Sequence, residues 1–355
     1  MAPGRTPNFV LYTTAAIAIC GVLSLPTIAK VAARQNPEPR IRPLTDRKFE
    51  RTPERMARGK YLVDSVAGCF GCHSTLANKP GPGELPVFAD LGAGNVFVNE
   101  KDFVLAASNI TPDVETGAGS WTDDQFARAI REGIGHDGRV LFPMMPYTVY
   151  KDISDEDLAS IIVYIRTIPS IHKEQPKTRI PARYAEAILK FPAPIHQPVG
   201  PPANDPVSRG RYLVAVAHCH ECHTPFDDKT VDFVPGMDFA GGEDFGDVAS
   251  ANITPDYTGI GYFDEALFIK ALRTGWVGAR PLRLPMPWPF FRNMTDEDLK
   301  AIFAYLRTLP PVHHDVDNTE VATFCKRCNG KHGLGEHNDR YAVTESNKLD
   351  QHANP

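Results

Sequence analysis

A pattern of two cysteines and one histidine occurs twice in this chain and constrains its fold more than any other feature. The pattern is Cys-x-x-Cys-His, found at Cys69–His73 and again at Cys219–His223. Two thiols at this spacing lie one helical turn apart, and the histidine follows directly. A c-type haem needs this arrangement, because the thiols bond to its two vinyl groups and the adjacent imidazole binds the iron.

A cysteine pair also serves as a redox-active dithiol, as half of a zinc site or as a short disulfide. None of these requires a histidine directly after the second cysteine, and chance does not explain two complete patterns in a chain with 7 Cys and 12 His. We therefore predict two covalently bound haem c groups per chain. The residues predicted to hold them are Cys69, Cys72, His73, Cys219, Cys222 and His223.

The regions around the two patterns repeat each other in order and spacing. The corresponding segments are Arg58–Val63 with Arg209–Val214, Asn109–Asp113 with Asn252–Asp256, and Met145–Tyr147 with Met286–Trp288. Self-similarity of this kind predicts two copies of one domain in tandem.

Helix signals recur within each copy. Thr122 with Gln125 has the spacing of a capping box at the start of an amphipathic helix. A closing helix is predicted to begin at Ser154 in the first copy and at Thr295 in the second, and prolines end both helices. Since no alternating pattern of useful length predicts strands, we expect an all-α fold of two tandem cytochrome c domains with an N-terminal transmembrane helix.

The start of the chain has no charged residue from Thr6 to Ala29. Such a run is either an uncleaved membrane anchor or a cleaved export signal, and we favour the anchor. Both place the rest of the chain outside the cytoplasm, so we expect it at the inner membrane with the haem domains on the periplasmic side. The predicted segments are an anchor at 1–33, a tether at 34–50, domain 1 at 51–175, a Pro-rich linker at 176–205, domain 2 at 206–315 and a polar tail at 316–355.

The charge pattern and the tail contribute less. A net charge of −5 and the lack of a long run of Lys and Arg argue against nucleic-acid binding. The tail carries a third cysteine pair, Cys325 and Cys328, but no histidine follows it. We interpret this segment as a disulfide or a disordered tail, with a metal site that adds His332 and His337 as the alternative.

Together, the repeated motifs and the Asp-Glu-Asp-Leu start of the closing helix resemble one known family across residues 50 to 312. That family comprises the membrane-anchored cytochrome c subunits of bacterial periplasmic dehydrogenases, such as those of alcohol, gluconate and sorbitol dehydrogenases. The resemblance implies that electrons come from a dehydrogenase catalytic subunit or another redox protein and pass to a quinone or a terminal oxidase. Members usually carry three haems, whereas this chain has two attachment patterns.

The resemblance also implies that Met145 and Met286 are the distal iron ligands. Both lie at the same place in their copies, after a loop and before the closing helix. Met144 is the rival in the first copy and Met294 in the second. The alternative is that these methionines only fill space in the core.

These ligands favour an electron carrier without substrate chemistry, because two six-coordinate irons leave no open position. The alternative is a dihaem enzyme of the peroxidase or thiosulfate-oxidising type, and a haem-based sensor is a third class; both need one open iron. Finally, Tyr61 and Tyr212 are candidates for hydrogen bonds to the haem propionates, with ordinary helix packing as the alternative.

Overall fold

The computed structural model describes residues 41–81, 83–245, 248–278 and 280–316, and the backbone of two further strands at 323–325 and 330–332. The α-helices are α1 (Pro53–Tyr61), α2 (Cys69–Cys72), α3 (Asp123–Glu132), α4 (Tyr147–Tyr150), α5 (Asp155–Ile165), α6 (Ala182–Ala185), α7 (Pro206–Val216), α8 (Cys219–His223), α9 (Glu265–Thr274), α10 (Trp288–Phe291) and α11 (Asp296–Leu306). A π-helical turn, Leu62–Val66, continues α1, and a 3-10 turn, Ala187–Lys190, follows α6.

Side-chain caps start the helices where the sequence predicts them. Thr122 and Gln125 form the complete capping box of α3, and Ser154 and Thr295 accept hydrogen bonds from the third backbone N–H of α5 and α11. Because a cap supplies a partner to an N–H that the helix itself leaves unpaired, it fixes the first residue of the helix. The predicted starts of these three helices are therefore confirmed.

Within each copy the first helix packs against the closing helix at a glycine. A Cβ atom added to Gly59 would lie 2.0 Å from the carbonyl oxygen of Ser160 in α5, and one added to Gly210 would lie 1.9 Å from that of Ala301 in α11. Only glycine allows backbones to approach this closely. The Gly of the repeated Arg-Gly-x-Tyr segment thus sets the crossing of α1 with α5 and of α7 with α11.

One continuous hydrophobic core runs through both copies. It includes the fully buried Leu62 and Leu158 of the first copy and Leu213 and Leu299 of the second. The linker adds a smaller cluster, in which Tyr184 and Ile188 pack with residues of both copies. The linker also contains the short helix α6 and the 3-10 turn that follows it.

The fold is mainly helical, but the expectation of an all-α chain needs correction. Short antiparallel hairpins pair β1 (Asn95–Asn99) with β2 (Val104–Ala107), β3 (Phe226–Asp227) with β4 (Asp232–Phe233), β5 (Trp276–Val277) with β6 (Arg280–Pro281), and β7 (Thr323–Cys325) with β8 (Gly330–His332). Strands of two to five residues are too short to show an alternating pattern in the sequence.

The segment before α1 lies against the first copy where it is described. Arg42 is buried and donates hydrogen bonds to both carboxylate oxygens of Asp124 and to Glu132, and the backbone N–H of Phe49 donates to Asp123. The predicted anchor and most of the polar tail lie outside the described residues. None of the helices that the structure describes is both long and apolar enough to span a membrane.

Candidate haem-binding sites

Each Cys-x-x-Cys-His pattern forms a single helical turn, α2 or α8, that begins at a residue with a left-handed backbone. That residue is Gly68 in the first copy, with φ of 58°, and His218 in the second, with φ of 45°. The turn separates the attachment helix from the helix before it. Gly68 adopts this conformation freely, whereas it costs a residue with a side chain about 1–2 kcal/mol.

The histidine at the end of each pattern is oriented by a backbone carbonyl. The Nδ1 atom of His73 lies 2.7 Å from the carbonyl oxygen of Ser108, and that of His223 lies 2.6 Å from that of Ala251. A carbonyl oxygen only accepts, so Nδ1 carries the proton and Nε2 keeps its lone pair. Burial lowers the pKa of His73, which keeps its ring neutral. Both imidazoles are therefore prepared to bind a metal ion through Nε2.

The repeated Asn-Ile-Thr-Pro-Asp segments hold these carbonyls in place. Asn109 follows Ser108; its side-chain oxygen accepts hydrogen bonds from the backbone and hydroxyl of Thr111, and its Nδ2 donates to the carbonyl oxygen of Ile171. Asn252 repeats these contacts with Thr254 and Val312 in the second copy. Sequence reasoning identified the repeated motif but not its role, which is to fix the residue that orients the histidine.

A cavity opens beside each attachment helix and brings the predicted residues together. The first has a volume of about 330 Å³ and is lined by Cys69, Cys72, His73 and Met145. Met144 lines it too, but its side chain is 47% exposed, whereas Met145 packs against the core.

The second cavity has a volume of about 150 Å³ and repeats this arrangement. Cys219, Cys222, His223 and Met286 line it. Met294 lines it as well and is fully buried. Each predicted set of ligands is therefore gathered at one cavity, although each cavity also contains the rival methionine.

The chemistry of the two cavities fits a haem c. Each combines two thiols one turn apart, an imidazole whose Nδ1 atom is hydrogen-bonded to a backbone carbonyl and a thioether, and the rest of the lining is largely apolar. Burial raises the pKa of Cys69 and of Cys219 to about 12, so both sulfurs are present as thiols. The apolar walls suit the macrocycle, and the polar atoms are the ones that its vinyl groups and iron require.

Comparison with known proteins decides the family. The cytochrome c family model matches residues 56–169 and again 207–310. The chain belongs to the cytochrome c family. Family membership implies covalently bound haem c, and the two matched regions coincide with the two copies.

Three relatives show which cytochromes this one resembles. It is 33% identical to the fructose dehydrogenase cytochrome subunit of Gluconobacter japonicus and 30% identical to the gluconate 2-dehydrogenase cytochrome c subunit of Pantoea cypripedii; the alignments cover 72% and 71% of this chain but only 52% and 59% of the relatives. It is 27% identical to a dihaem cytochrome c-type protein of Cereibacter sphaeroides, over 70% of this chain and 83% of that protein. The chain thus spans little more than half of the dehydrogenase relatives, which are named as cytochrome subunits and not as catalytic ones.

Arginines at the cavities of this cytochrome are functional candidates that sequence reasoning missed. Arg139 lines the first cavity, and Arg280 and Arg283 line the second. When the two copies are aligned at Met145 and Met286, Arg139 is equivalent to Arg280, and Phe142 is equivalent to Arg283. This alignment of the copies was the available signal. At these two positions the second cavity therefore has two arginines and the first has one. The additional arginine offers one more positive charge to the carboxylates of a bound ligand.

Tyr61 and Tyr212 do not lie at the cavities, so their proposed role at the propionates is wrong. The hydroxyl of Tyr61 donates to Asp298 of the other copy at 2.5 Å and accepts from the backbone N–H of Thr295 at 3.2 Å. Tyr212 makes the matching contacts with Asp157 at 2.6 Å and with Ser154 at 3.2 Å. Each tyrosine thus binds the start of the other copy's closing helix.

Arginines complete these contacts between the cytochrome domains. Arg58 binds Asp157 through two hydrogen bonds, and Arg209 binds Asp298. Each buried carboxylate therefore receives an arginine from its own copy and a tyrosine from the other. We call these two sets of contacts the interdomain clasps.

Proposed function

We propose that this cytochrome is a dihaem electron carrier. It takes electrons from a dehydrogenase catalytic subunit or another redox protein and passes them to a membrane acceptor, a quinone or a terminal oxidase. The observation that supports this most strongly is that each cavity gathers two thiols, an imidazole oriented by a backbone carbonyl at its Nδ1 atom and a buried or half-buried thioether. The cytochrome subunits of fructose and gluconate dehydrogenases among its relatives support the choice of donor.

The chain's own residues hold and tune the cofactors in this proposal. Cys69 and Cys72 anchor one haem, Cys219 and Cys222 the other. When bound, each haem supplies an iron that changes between the ferric and ferrous states. The backbone carbonyls behind the two histidines orient each imidazole so that its Nε2 would bind the iron, and a thioether ligand would favour the ferrous state.

Met145 and Met286 are the thioether ligands that we propose. Met145 packs against the core, whereas its rival Met144 is half exposed, and a ligand that is held in place binds iron with less loss of entropy. Met286 occupies the equivalent place in the repeat, directly before a proline and α10.

We place the chain at the inner membrane, with residues 1–33 as an anchor and 34–50 as the connection to domain 1. Domains 1 and 2 extend over 51–175 and 206–315, the linker over 176–205 and the tail over 316–355. The uncharged run that ends at Ala29 supports the anchor, and the homology to subunits of dehydrogenases supports a location beside a membrane-linked catalytic partner.

Mass spectrometry of the denatured protein tests the haem count. Two haem additions are expected for the native sequence, and one addition for the double variant Cys219→Ala, Cys222→Ala. The matched double variant Cys69→Ala, Cys72→Ala should also keep one. A count of one or three in the native sequence would contradict the proposal.

Carbon monoxide and co-purification test the function. The reduced protein should show no spectral change with carbon monoxide, because a histidine and a methionine would hold each iron and leave no position for the gas. A change at either haem would favour the dihaem enzyme instead. Solubilising the native membrane in detergent should co-purify a dehydrogenase catalytic subunit, and adding that enzyme's substrate should reduce both haems. Failure of the substrate to reduce either haem would exclude this donor.

A further inference from the structure

His218 lies between the two candidate haem sites. It precedes Cys219 at the start of the second attachment helix, yet its side chain lines the cavity of the first copy as well as that of the second. Among the residues that the structure describes, no other lines both cavities. The position is reached through a left-handed backbone with φ of 45° and ψ of 39°, which is uncommon for residues other than glycine although histidine adopts it more often than most.

The His218 ring also lies close to residues of the first copy. Burial lowers the pKa of the imidazole, and the nearby backbone of Ala67, two residues before Cys69, acts in the opposite direction. The ring of Tyr150 lies edge-on at a centroid distance of 6.4 Å. Burial lowers the pKa of His218 to about 4, so the ring is neutral and makes no charged contact at ordinary pH.

The equivalent contact of the first attachment helix with the second copy contains a glycine in place of the histidine. Gly68 occupies the place of His218, and Phe290 of α10 fills the space beside it: a Cβ atom added to Gly68 would lie 3.4 Å from the Phe290 ring. In the repeat, Phe290 corresponds to Val149. The attachment segment itself supplies a ring at His218, whereas at Gly68 the ring comes from α10 of the other copy.

A strained backbone at a site that a glycine fills in the other copy calls for a reason beyond packing. We propose that His218 is a positioning residue for electron exchange between the two haems, holding the two attachment segments together and filling the gap between them with an aromatic ring. This inference rests on the proposed dihaem function. In the exchange one electron leaves the ferrous iron of one copy and enters the ferric iron of the other; no bond forms or breaks and no proton moves.

The test compares the haem-to-haem exchange rate in variants of the full-length, haem-loaded protein. Laser-flash photoreduction with an external ruthenium complex delivers one electron, and its redistribution between the haems gives the rate. We expect His218→Gly to slow the exchange about tenfold, which corresponds to about 1.4 kcal/mol in the effective barrier. This variant places in the second copy the residue that the first copy has at the same position, so it is expected to fold.

Two further variants separate the ring from the backbone. His218→Asn tolerates the left-handed conformation without an aromatic ring and should be as slow as His218→Gly, whereas His218→Phe should restore most of the rate. His172→Asn is the matched control, because that side chain is 64% exposed and faces Asp113 within its own copy. Its exchange rate should equal that of the native protein.

The outcomes distinguish this inference from the proposed function. If the native protein itself shows no exchange although mass spectrometry finds two haems, the proposed carrier function fails. If the native protein exchanges electrons and His218→Gly does so at the same rate, the role of His218 is refuted while the carrier function stands. A slow His218→Phe variant would also refute it, since the ring would then be irrelevant.

Discussion

Replacing Tyr61 by phenylalanine removes a single hydroxyl group that joins the two cytochrome domains. That hydroxyl donates to the buried carboxylate of Asp298 and accepts from the backbone N–H of Thr295. Phenylalanine keeps the aromatic ring in place, so the change isolates the hydrogen bonds from the packing. Tyr212→Phe is the equivalent change in the second clasp.

The structure sets the expected magnitude. A hydrogen bond to a charged group contributes about 1.5–3 kcal/mol to stability. Asp298 keeps its bond from Arg209, and the ring of Tyr61 is only partly buried, so the lower half of that range applies. We expect a loss of about 2 kcal/mol in the free energy of unfolding for either variant. The double variant should lose about 4 kcal/mol, since the clasps have no hydrogen-bond partner in common and the Tyr61 ring, which lies 5.6 Å from the Arg58 guanidinium, is kept in Tyr61→Phe.

Denaturant unfolding of the haem-loaded protein measures these losses. The control is Tyr257→Phe, whose side chain is 63% exposed and should change stability by no more than about 0.5 kcal/mol. A Tyr61→Phe protein within 0.5 kcal/mol of the native one would show that the clasps do not stabilise the interface, and a loss in the double variant far from the sum would show that they are not independent.

Three further predictions concern packing, pH and ligation. Gly59→Ala should destabilise the protein by about 3 kcal/mol in the same unfolding assay, because the new Cβ would lie 2.0 Å from a carbonyl oxygen of α5. Gly200→Ala is the control and should not change the stability, because the space around Gly200 is open. Equal effects of the two changes would refute the close crossing of α1 and α5. Burial raises the pKa of Tyr61 from 10 to about 12, so the stability that its protonated hydroxyl contributes is complete below pH 10 and is lost as the pH rises toward 12. Between these pH values the free energy of unfolding should therefore fall more steeply in the native protein than in Tyr61→Phe. Parallel curves for the two proteins would contradict this. Met286→Ala should abolish the sulfur-to-iron absorption band of the second haem and admit carbon monoxide; survival of the band there with its loss in Met294→Ala would assign the ligand to Met294.

Local sequence was sufficient for the features that depend on neighbours within one or two helical turns. The attachment thiols, the histidine after them and the caps at Thr122, Ser154 and Thr295 all act over fewer than five residues. Helix geometry alone decides which side chains meet over so short a distance in the chain, so the spacing of the residues predicts these contacts. The repeat then predicted that both copies have the same fold and the same kind of site.

Contacts between distant residues had to come from the tertiary structure. Tyr61 and Asp298 are 237 positions apart, and nothing local distinguishes a tyrosine that meets a carboxylate of the other copy from one that meets a propionate. The carbonyls behind His73 and His223 likewise come from loops 35 and 28 residues away. The sequence determined which thiols and imidazoles are available to hold a haem, because covalent attachment needs fixed spacing. The packing of the copies decided how the two sites face each other, because that depends on surfaces formed only after both copies have folded.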